Sequence, residues 1–184
     1  MDLSSFSHGQ IQSKLWLCER LEKYIPNNAH ILILGSWYNI LGFMLAVRNK
    51  KKYNFITGLD IDNDVKETAD ALCQGFNISP NCLINNITAD ANLYDTKGFD
   101  CIINCSPEHM DSNNWFANIK PWTLTCIQTS NVVTDNPSWD IKNPNPNLET
   151  FANKYPMHRV FERKTKTFQY NDWGYDRYML IGLK

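Results

Sequence analysis

Small, polar and acidic residues follow the apolar runs of this sequence, where sheets of parallel strands bind their ligands. Asp60 ends the run "FITGLD". One carboxylate can accept hydrogen bonds from both vicinal hydroxyls of a ribose, so Asp60 predicts a nucleoside-containing ligand. Glu108 and His109 follow the run "CIIN" and could remove a proton from a hydroxyl or amine nucleophile. The candidate residues at these run ends are Gly35, Ser36, Trp37, Tyr38, Asp60, Ile61, Asp90, Ala91, Asn104, Glu108 and His109.

Several of these residues also have an ordinary structural explanation. Asp60 could cap the helix that follows it, although Asp62 is the better candidate for that cap. Asp90 fits a turn after a strand. Glu108 with His109 fits the start of a helix. Asn104 ends a buried strand, where its amide needs a hydrogen-bond partner in the cofactor, the substrate or the neighbouring backbone.

Apolar periodicity places the candidate residues at strand ends. A helix is predicted over residues 11–24, ending near Pro26. Five strands follow, "HILILG", "NFITGLDI", "CLINNITAD", "FDCIINCS" and "TLTCIQTSN", with the helices "NILGFMLAVRN" and "DVKETADALCQGF" between the first three. Alternating strands and helices predict a mostly parallel sheet with right-handed crossovers. Because the carboxyl ends of such strands share one edge, the candidate residues should meet there.

The second half of the chain has a different character. Residues 131–150 are rich in Asn and Pro and predict an irregular loop on the substrate side, with Trp139 as a stacking surface for a planar acceptor. "LETFANKYP" predicts a short helix, and "HRVFERKTKTF" and "YDRYMLIGLK" predict a closing antiparallel strand pair. Without repeats or a dividing linker, residues 1–184 are expected to form one domain, in which residues 1–26 supply the N-terminal helix.

Composition restricts the partners. The formal net charge is -1 and the pI is about 6.4, which argues against a generally basic nucleic-acid-binding protein. The basic run at residues 48–52 fits the end of a helix. Six cysteines without a C-x-x-C pair indicate reduced thiols in the cytoplasm and predict no metal site. No apolar run is long enough to span a bilayer, so no membrane partner is expected.

The order of these segments resembles the class I methyltransferases that use S-adenosylmethionine (SAM). The likeness covers "ILILGSW", "GLDID", "TADA", "DCIINCSPEHM" and "RYMLIGLK". More narrowly, the chain is similar to small methyltransferase-like proteins of bacteriophages, in which "FSHGQIQSKLW", "LGSWY", "N-x-S-x-EHM" and "RYMLIG" occur together. The resemblance implies a single Rossmann-like α/β domain with helices on both faces, SAM as the cofactor and, for a phage protein, a location in the host cytoplasm.

The resemblance also implies roles for individual residues. Asn104, Glu108 and His109 are the implied catalytic residues. The implied cofactor contacts are Gly35, Ser36, Trp37, Tyr38, Asp60, Ile61, Asp90, Ala91, Asn104, Gln10 and Lys14. The resemblance implies that Gln10 and Lys14 lie on an N-terminal helix face or flap over the cofactor's carboxylate. The alternative is that this first helix is simply solvated.

The chain departs from the family in its first loop, where family members have Gly-x-Gly-x-Gly and this sequence has only Gly35 before Gly42. SAM carries no phosphate, so a cradle of backbone amides is not required. Trp37 and Tyr38 could pack over the methionine moiety or face the sulfonium through cation–π attraction. The alternative is that both rings pack between helix and sheet.

The resulting functional hypothesis is methyl transfer by in-line attack of a nucleophile on the SAM methyl group. The acceptor is expected to be a small molecule or nucleotide, with nucleic acid less favoured because the chain is small and nearly neutral. The alternative is a SAM-binding protein without methyl transfer, either a SAM-degrading lyase or an interaction module.

Overall fold

The computed structural model describes residues 6–48, 53–75, 82–134, 140–170 and 173–184. Trp139, the predicted stacking surface, and residues 49–52 of the basic run lie outside the described residues. Across the described ranges, no helix combines the length and the apolar content needed to cross a membrane.

The elements of the described ranges follow the predicted order closely. The helices are α1 (His8–Leu21), α2 (Ile40–Arg48), α3 (Asn63–Gly75), α4 (Asn114–Ala117) and α5 (Leu148–Lys154), with a 3-10 turn at Pro107–His109. The strands are β1 (His30–Leu34), β2 (Phe55–Asp60), β3 (Leu83–Thr88), β4 (Cys101–Asn104), β5 (Leu124–Ser130), β6 (Arg159–Gln169) and β7 (Gly174–Leu183). The first helix begins three residues earlier than predicted, at His8 instead of residue 11.

The strands form one seven-stranded sheet in the order β3-β2-β1-β4-β5-β7-β6. Strands β1 to β5 pair in parallel. Strand β7 is antiparallel to both of its neighbours, β5 and β6. The predicted fold class, a mostly parallel sheet with an antiparallel C-terminal pair, is therefore confirmed.

Alternating strand residues supply two cores, one on each face of the sheet. On one face, Ile31 and Ile33 of β1 pack with Leu17 of α1 and Leu45 of α2. On the other face, strand residues such as Leu32 pack against an aromatic group from α4 and α5, namely Trp115, Phe116, Phe151 and Tyr155. Burial on both faces explains why these strands read as continuous apolar runs.

Helix α1 is fixed across the C-terminal half of the sheet. The Ser13 hydroxyl donates to Gln128 Oε1 of β5 at 2.7 Å, and both side chains are buried. Arg20 makes two hydrogen bonds to Glu162 of β6, at 2.8 Å and 2.7 Å. Ser13 therefore packs α1 against the sheet. A Cβ at position 9 would lie 2.6 Å from the hydroxyl oxygen of Tyr170, so a side chain there would require Tyr170 to shift.

Candidate functional site

The loop after β1 keeps the backbone of a glycine-rich loop with only one glycine. Gly35, Trp37 and Asn39 have φ angles of 59°, 51° and 53°, all in the left-handed region. This region is natural for Gly, tolerated by Asn and costly for a bulky residue. The sequence Gly-x-Trp-x-Asn therefore places left-handed residues at alternate positions of this loop. Asn39 was not among the predicted site residues, although its known tolerance of this region was a usable signal.

A buried amide network supports this loop from below. Asn39 is fully buried, and its Nδ2 donates to Asn86 Oδ1 at 2.8 Å. Asn86 in turn donates to Asp70 Oδ1 at 2.8 Å. Gly58 of β2 makes room for the Asn39 side chain, because a Cβ at position 58 would lie 2.6 Å from Asn39 Nδ2. Gly42 of α2 makes room on the other side. These glycines are needed for side-chain space beneath the loop.

The loops after β1 and β4 meet directly. A Cβ on Gly35 would lie 3.0 Å from Ser106 Cβ, and the Ser106 hydroxyl donates to the Gly35 carbonyl oxygen at 3.1 Å. Asn104 is fully buried, and its Oδ1 accepts the Ser106 N–H at 2.9 Å. Its Nδ2 lies 3.3 Å from Met110 Sδ. Asn104 therefore finds its partners within the protein, and it shapes the β4 loop that faces the β1 loop.

Asp60 is half-buried at the end of β2 and joins two loops. Its Oδ2 accepts the Trp37 N–H at 2.8 Å, and its Oδ1 accepts the Asp62 N–H at 3.1 Å. A carboxylate has about four lone-pair sites, so about two remain for a ligand. Asp62 Oδ1 accepts the Asp64 N–H at 2.8 Å, at the second position of α3. The prediction that Asp62 caps this helix is confirmed.

Apolar side chains around Asp60 are open to solvent. Ile61 is 70% exposed, Leu93 is 83% exposed and Trp37 is 39% exposed. They follow the neighbouring strands β2, β3 and β1 respectively, so they border the same edge of the sheet. Tyr38 differs, because its ring is buried in a small cluster with Ile40 and Val65. The two alternatives for these rings were contact with the cofactor and packing between helix and sheet. Tyr38 packs inside the protein, while Trp37 lies at the surface.

Asp90 and Ala91 follow β3 at the same edge. Asp90 Oδ1 accepts the Asn92 N–H at 2.8 Å, which is the turn contact expected of an aspartate there. Its side chain is half-buried, and Ala91 is buried. The Ala89 N–H donates to the Asp60 carbonyl oxygen at 2.9 Å. This bond brings the ends of β2 and β3 together, so the Asp60 and Asp90 regions form one surface.

Glu108 and His109, which follow β4, lie in different environments. Glu108 is buried, its Oε1 lies 3.5 Å from Arg177 Nη1, and its Oε2 accepts the Thr129 hydroxyl at 3.0 Å. His109 is exposed, and its Nδ1 lies 3.2 Å from the Asp140 carbonyl oxygen. In the tautomer that donates this bond, Nε2 is the acceptor. Arg177 was missed by the sequence reasoning, although a cation inside the apolar strand "YDRYMLIG" signals a buried partner.

Two residues of α1 complete the cluster on the β4 side. Lys14 Nζ donates to Gln10 Oε1 at 2.7 Å. Burial lowers the pKa of Lys14 from its ordinary value of 10.5 to about 8, with Arg177 also lowering it and Cys105 raising it. Burial raises the pKa of the Cys105 thiol to about 11, so this cysteine is a neutral, unreactive group. A ligand anion at this position would relieve the destabilised charge on Lys14.

The strand order defines a Rossmann-like α/β fold. Comparison with protein-family models and with curated proteins gives no match. Solved structures do match. The YcgJ protein of Bacillus subtilis is 10% identical, with a TM-score of 0.66 over 94% of this chain and 98% of that one. Magnesium protoporphyrin IX methyltransferase from Synechocystis PCC 6803, with bound SAM, is 11% identical, with a TM-score of 0.65 over 95% of this chain and 80% of that one.

A third similar structure is the Pyrococcus abyssi tRNA (uracil-54, C5)-methyltransferase in complex with S-adenosyl-L-homocysteine. It is 16% identical, with a TM-score of 0.62, and the match covers 93% of this chain but only 38% of the longer enzyme. At these identities the likeness establishes the fold.

Proposed function

We propose that this protein is a SAM-dependent methyltransferase. The observation that carries the proposal is the half-buried carboxylate of Asp60, which fixes the left-handed β1 loop through the Trp37 N–H and keeps lone pairs for the hydroxyls of a ribose. The fold, which this chain shares with structures that hold SAM or S-adenosyl-L-homocysteine, supports the same conclusion.

The residues of the ligand edge fit an adenosyl group. Ile61 offers an exposed apolar side chain beside Asp60, which suits one face of an adenine ring. Asp90 keeps Oδ2 as an acceptor for the adenine amino group, because its turn contact uses Oδ1. The absence of Cβ at Gly35 leaves room for Ser106 of the β4 loop. We therefore propose that the adenosine binds at the ends of β2 and β3.

We propose that the methionine part lies over the surface where the β1 and β4 loops meet. Lys14, paired with Gln10, supplies the cation for its carboxylate. The exposed ring of Trp37 is the one aromatic face of the predicted pair that can meet the sulfonium. Tyr38 contributes by packing beneath the loop. Ser36 holds the loop through backbone bonds to Leu59 and Asn39.

When bound, SAM supplies an activated methyl group, so the protein needs mainly to position the acceptor in line with it. Asn104 positions the β4 loop through Ser106. Glu108 is neutralised by Arg177 and anchors the loop at 142–143, whose two amides donate to its carbonyl oxygen at 2.9 Å each. His109 is the candidate base, because it is exposed and the Asp140 contact leaves Nε2 able to accept a proton.

The acceptor is proposed to be a nucleotide-like or other small molecule that enters beside His109. Two measurements test the function. The purified protein is titrated with S-adenosylhomocysteine by calorimetry, and it is then incubated with methyl-labelled SAM and cell extract. Binding together with a labelled product supports the proposal. Formation of methylthioadenosine by the protein alone would identify a lyase instead, and absence of binding would leave only an interaction role.

A further inference from the structure

The turn end of the β6–β7 hairpin carries a stack of aromatic rings that the methyl-transfer site does not use. Phe168 and Tyr175 are cross-strand partners, with ring centroids 5.2 Å apart and planes 14° apart. Tyr170 and Trp173 stack at 4.8 Å and 16°. Trp173 also stacks on Tyr175, at 5.6 Å and 18°. The four rings therefore form one nearly parallel stack, called here the hairpin stack.

Packing of the hairpin accounts for only part of the stack. Phe168 is 7% exposed, as a residue that stabilises a hairpin by burial should be. The hydroxyls of Tyr170 and Tyr175 face Gly9 of α1, where a Cβ would lie 2.6 Å and 2.7 Å from them. Trp173, by contrast, is 50% exposed. Half of the Trp173 side chain is thus exposed beside Tyr170 and Tyr175, where another planar ring can contact it.

Cations lie against the rings. The Lys166 ammonium is 5.4 Å from the centroid of Phe168, and the Arg177 guanidinium is 5.7 Å from that of Tyr175. Such contacts place positive charge beside the aromatic surface. A ligand that stacks on the rings and carries a negative charge would satisfy both features.

The positive charge continues along edge strand β6. Arg163 and Lys164 are exposed, and within the described ranges no carboxylate forms an ion pair with either of them or with Lys166. Charges on an edge strand discourage pairing with other strands. Lys164 and Lys166 lie on the same face of β6 as Phe168, about 7 Å apart along the strand, so these two lysines suit successive phosphates of an extended polyanion, whereas Arg163 projects from the opposite face. The nearby acid Glu162 is buried and paired with Arg20.

The hairpin stack lies at the ligand edge. Because β7 is antiparallel to β5, its first residues adjoin the carboxyl end of β5, and Arg177 pairs with Ser130. Arg177 also contacts Glu108 of the β4 loop at 3.5 Å. Tyr175 of the stack is therefore two residues from a side chain that borders the candidate transfer site, on the side away from Asp60.

We propose that the hairpin stack and the β6 cations bind single-stranded nucleic acid. An unpaired base packs against the exposed part of Trp173, and the backbone phosphates lie along Lys164 and Lys166. Aromatic faces accept any base, and cations that neutralise phosphates give affinity without a sequence requirement. The net charge of the whole chain is no obstacle, because the interaction is local. The inference narrows the acceptor proposed above to a nucleotide within a single strand, and in that respect it rests on the proposed methyltransferase function.

Fluorescence anisotropy with a labelled oligouridylate of about 12 nucleotides, within the span that single-strand-binding folds cover, tests the proposal. Trp173→Ala should weaken binding by about five- to a hundredfold, the loss expected for one stacked base. Trp122→Ala is the matched control, because Trp122 is 65% exposed and stacks on His158 next to the opposite end of β5. This control should bind within about twofold of the parent.

Salt dependence tests the phosphate contacts. The double variant Lys164→Ala, Lys166→Ala should lower the slope of log K against log salt by about 1.4, for two lost contacts with a single strand. The proposal is overturned if the oligonucleotide does not bind, if uridine monophosphate binds as tightly as the oligonucleotide, or if the two Trp variants lose affinity equally. Calorimetry with S-adenosylhomocysteine on the same samples separates these results from failure of the methyltransferase assignment.

Discussion

Replacement of Asp60 by Ala gives the most direct test of the cofactor site. The side chain accepts two backbone N–H groups, from Trp37 and Asp62, and keeps about two lone-pair sites for a ribose. Each charge-assisted bond to the ribose is worth about 1.5–3 kcal/mol, and water replaces part of that loss. The affinity for S-adenosylhomocysteine should therefore fall by about ten- to a thousandfold.

The same substitution frees the Trp37 amide and loosens the left-handed loop, so a modest loss of stability of about 1 kcal/mol should accompany the loss of affinity. Asp62→Ala is the matched control, two residues away. It removes the α3 cap on the Asp64 N–H, costs about 1 kcal/mol of stability and leaves affinity within about twofold. Calorimetric titration and thermal melts of both variants decide the matter. Unchanged binding by Asp60→Ala, or an exchange of the two phenotypes, would refute the assignment of this edge as the cofactor site.

Three further predictions concern buried groups. Gly58→Ala should lower the free energy of unfolding by about 1–3 kcal/mol through overpacking, because its Cβ would lie 2.6 Å from Asn39 Nδ2. Denaturant melts should show that adding Asn39→Ala recovers part of this stability. If the stability losses of the two substitutions simply add, the proposed clash is contradicted. Arg177→Met should destabilise the protein by about 3–5 kcal/mol, because it leaves the buried Glu108 carboxylate without its cation. Adding Glu108→Gln should restore much of the lost stability. A loss under about 1 kcal/mol for Arg177→Met would show that the two side chains do not form a buried ion pair. Burial lowers the pKa of Lys14 to about 8, so this side chain is largely neutral between about pH 8 and 10.5. Binding of the cofactor's carboxylate should raise this pKa, because the negative charge favours the protonated amine. Cofactor binding near pH 9 should therefore take up a proton. Calorimetry in buffers of different ionisation enthalpy should detect this uptake in the parent but not in Lys14→Met, and equal uptake by both would exclude Lys14 as the carboxylate ligand.

The sequence alone determined the sheet and the edge at which its strands end. Runs such as "ILIL" and "CII" are apolar at every position because both faces of the sheet are covered, and the helices between the strands force parallel crossovers. Since parallel strands end at one edge, Asp60, Asp90 and Asn104 could be placed together without coordinates. The helix cap at Asp62 was also readable, because capping depends on neighbours within a few residues.

The tertiary structure decided which contacts those residues make. Whether Tyr38 or Trp37 faces solvent depends on α3, whose Val65 packs against the Tyr38 ring. Asn104 proved to be satisfied within its own loop, and Glu108 proved to be paired with Arg177, which is distant in the sequence. The hairpin stack depends on the register of β6 against β7, in which Phe168 faces Tyr175. The spacing of apolar residues and the capping of helices are local properties that can be read from a sequence. These partners meet only after the crossovers fix the strand order and register. A register shift of one residue would turn each side chain of a strand to the other face of the sheet.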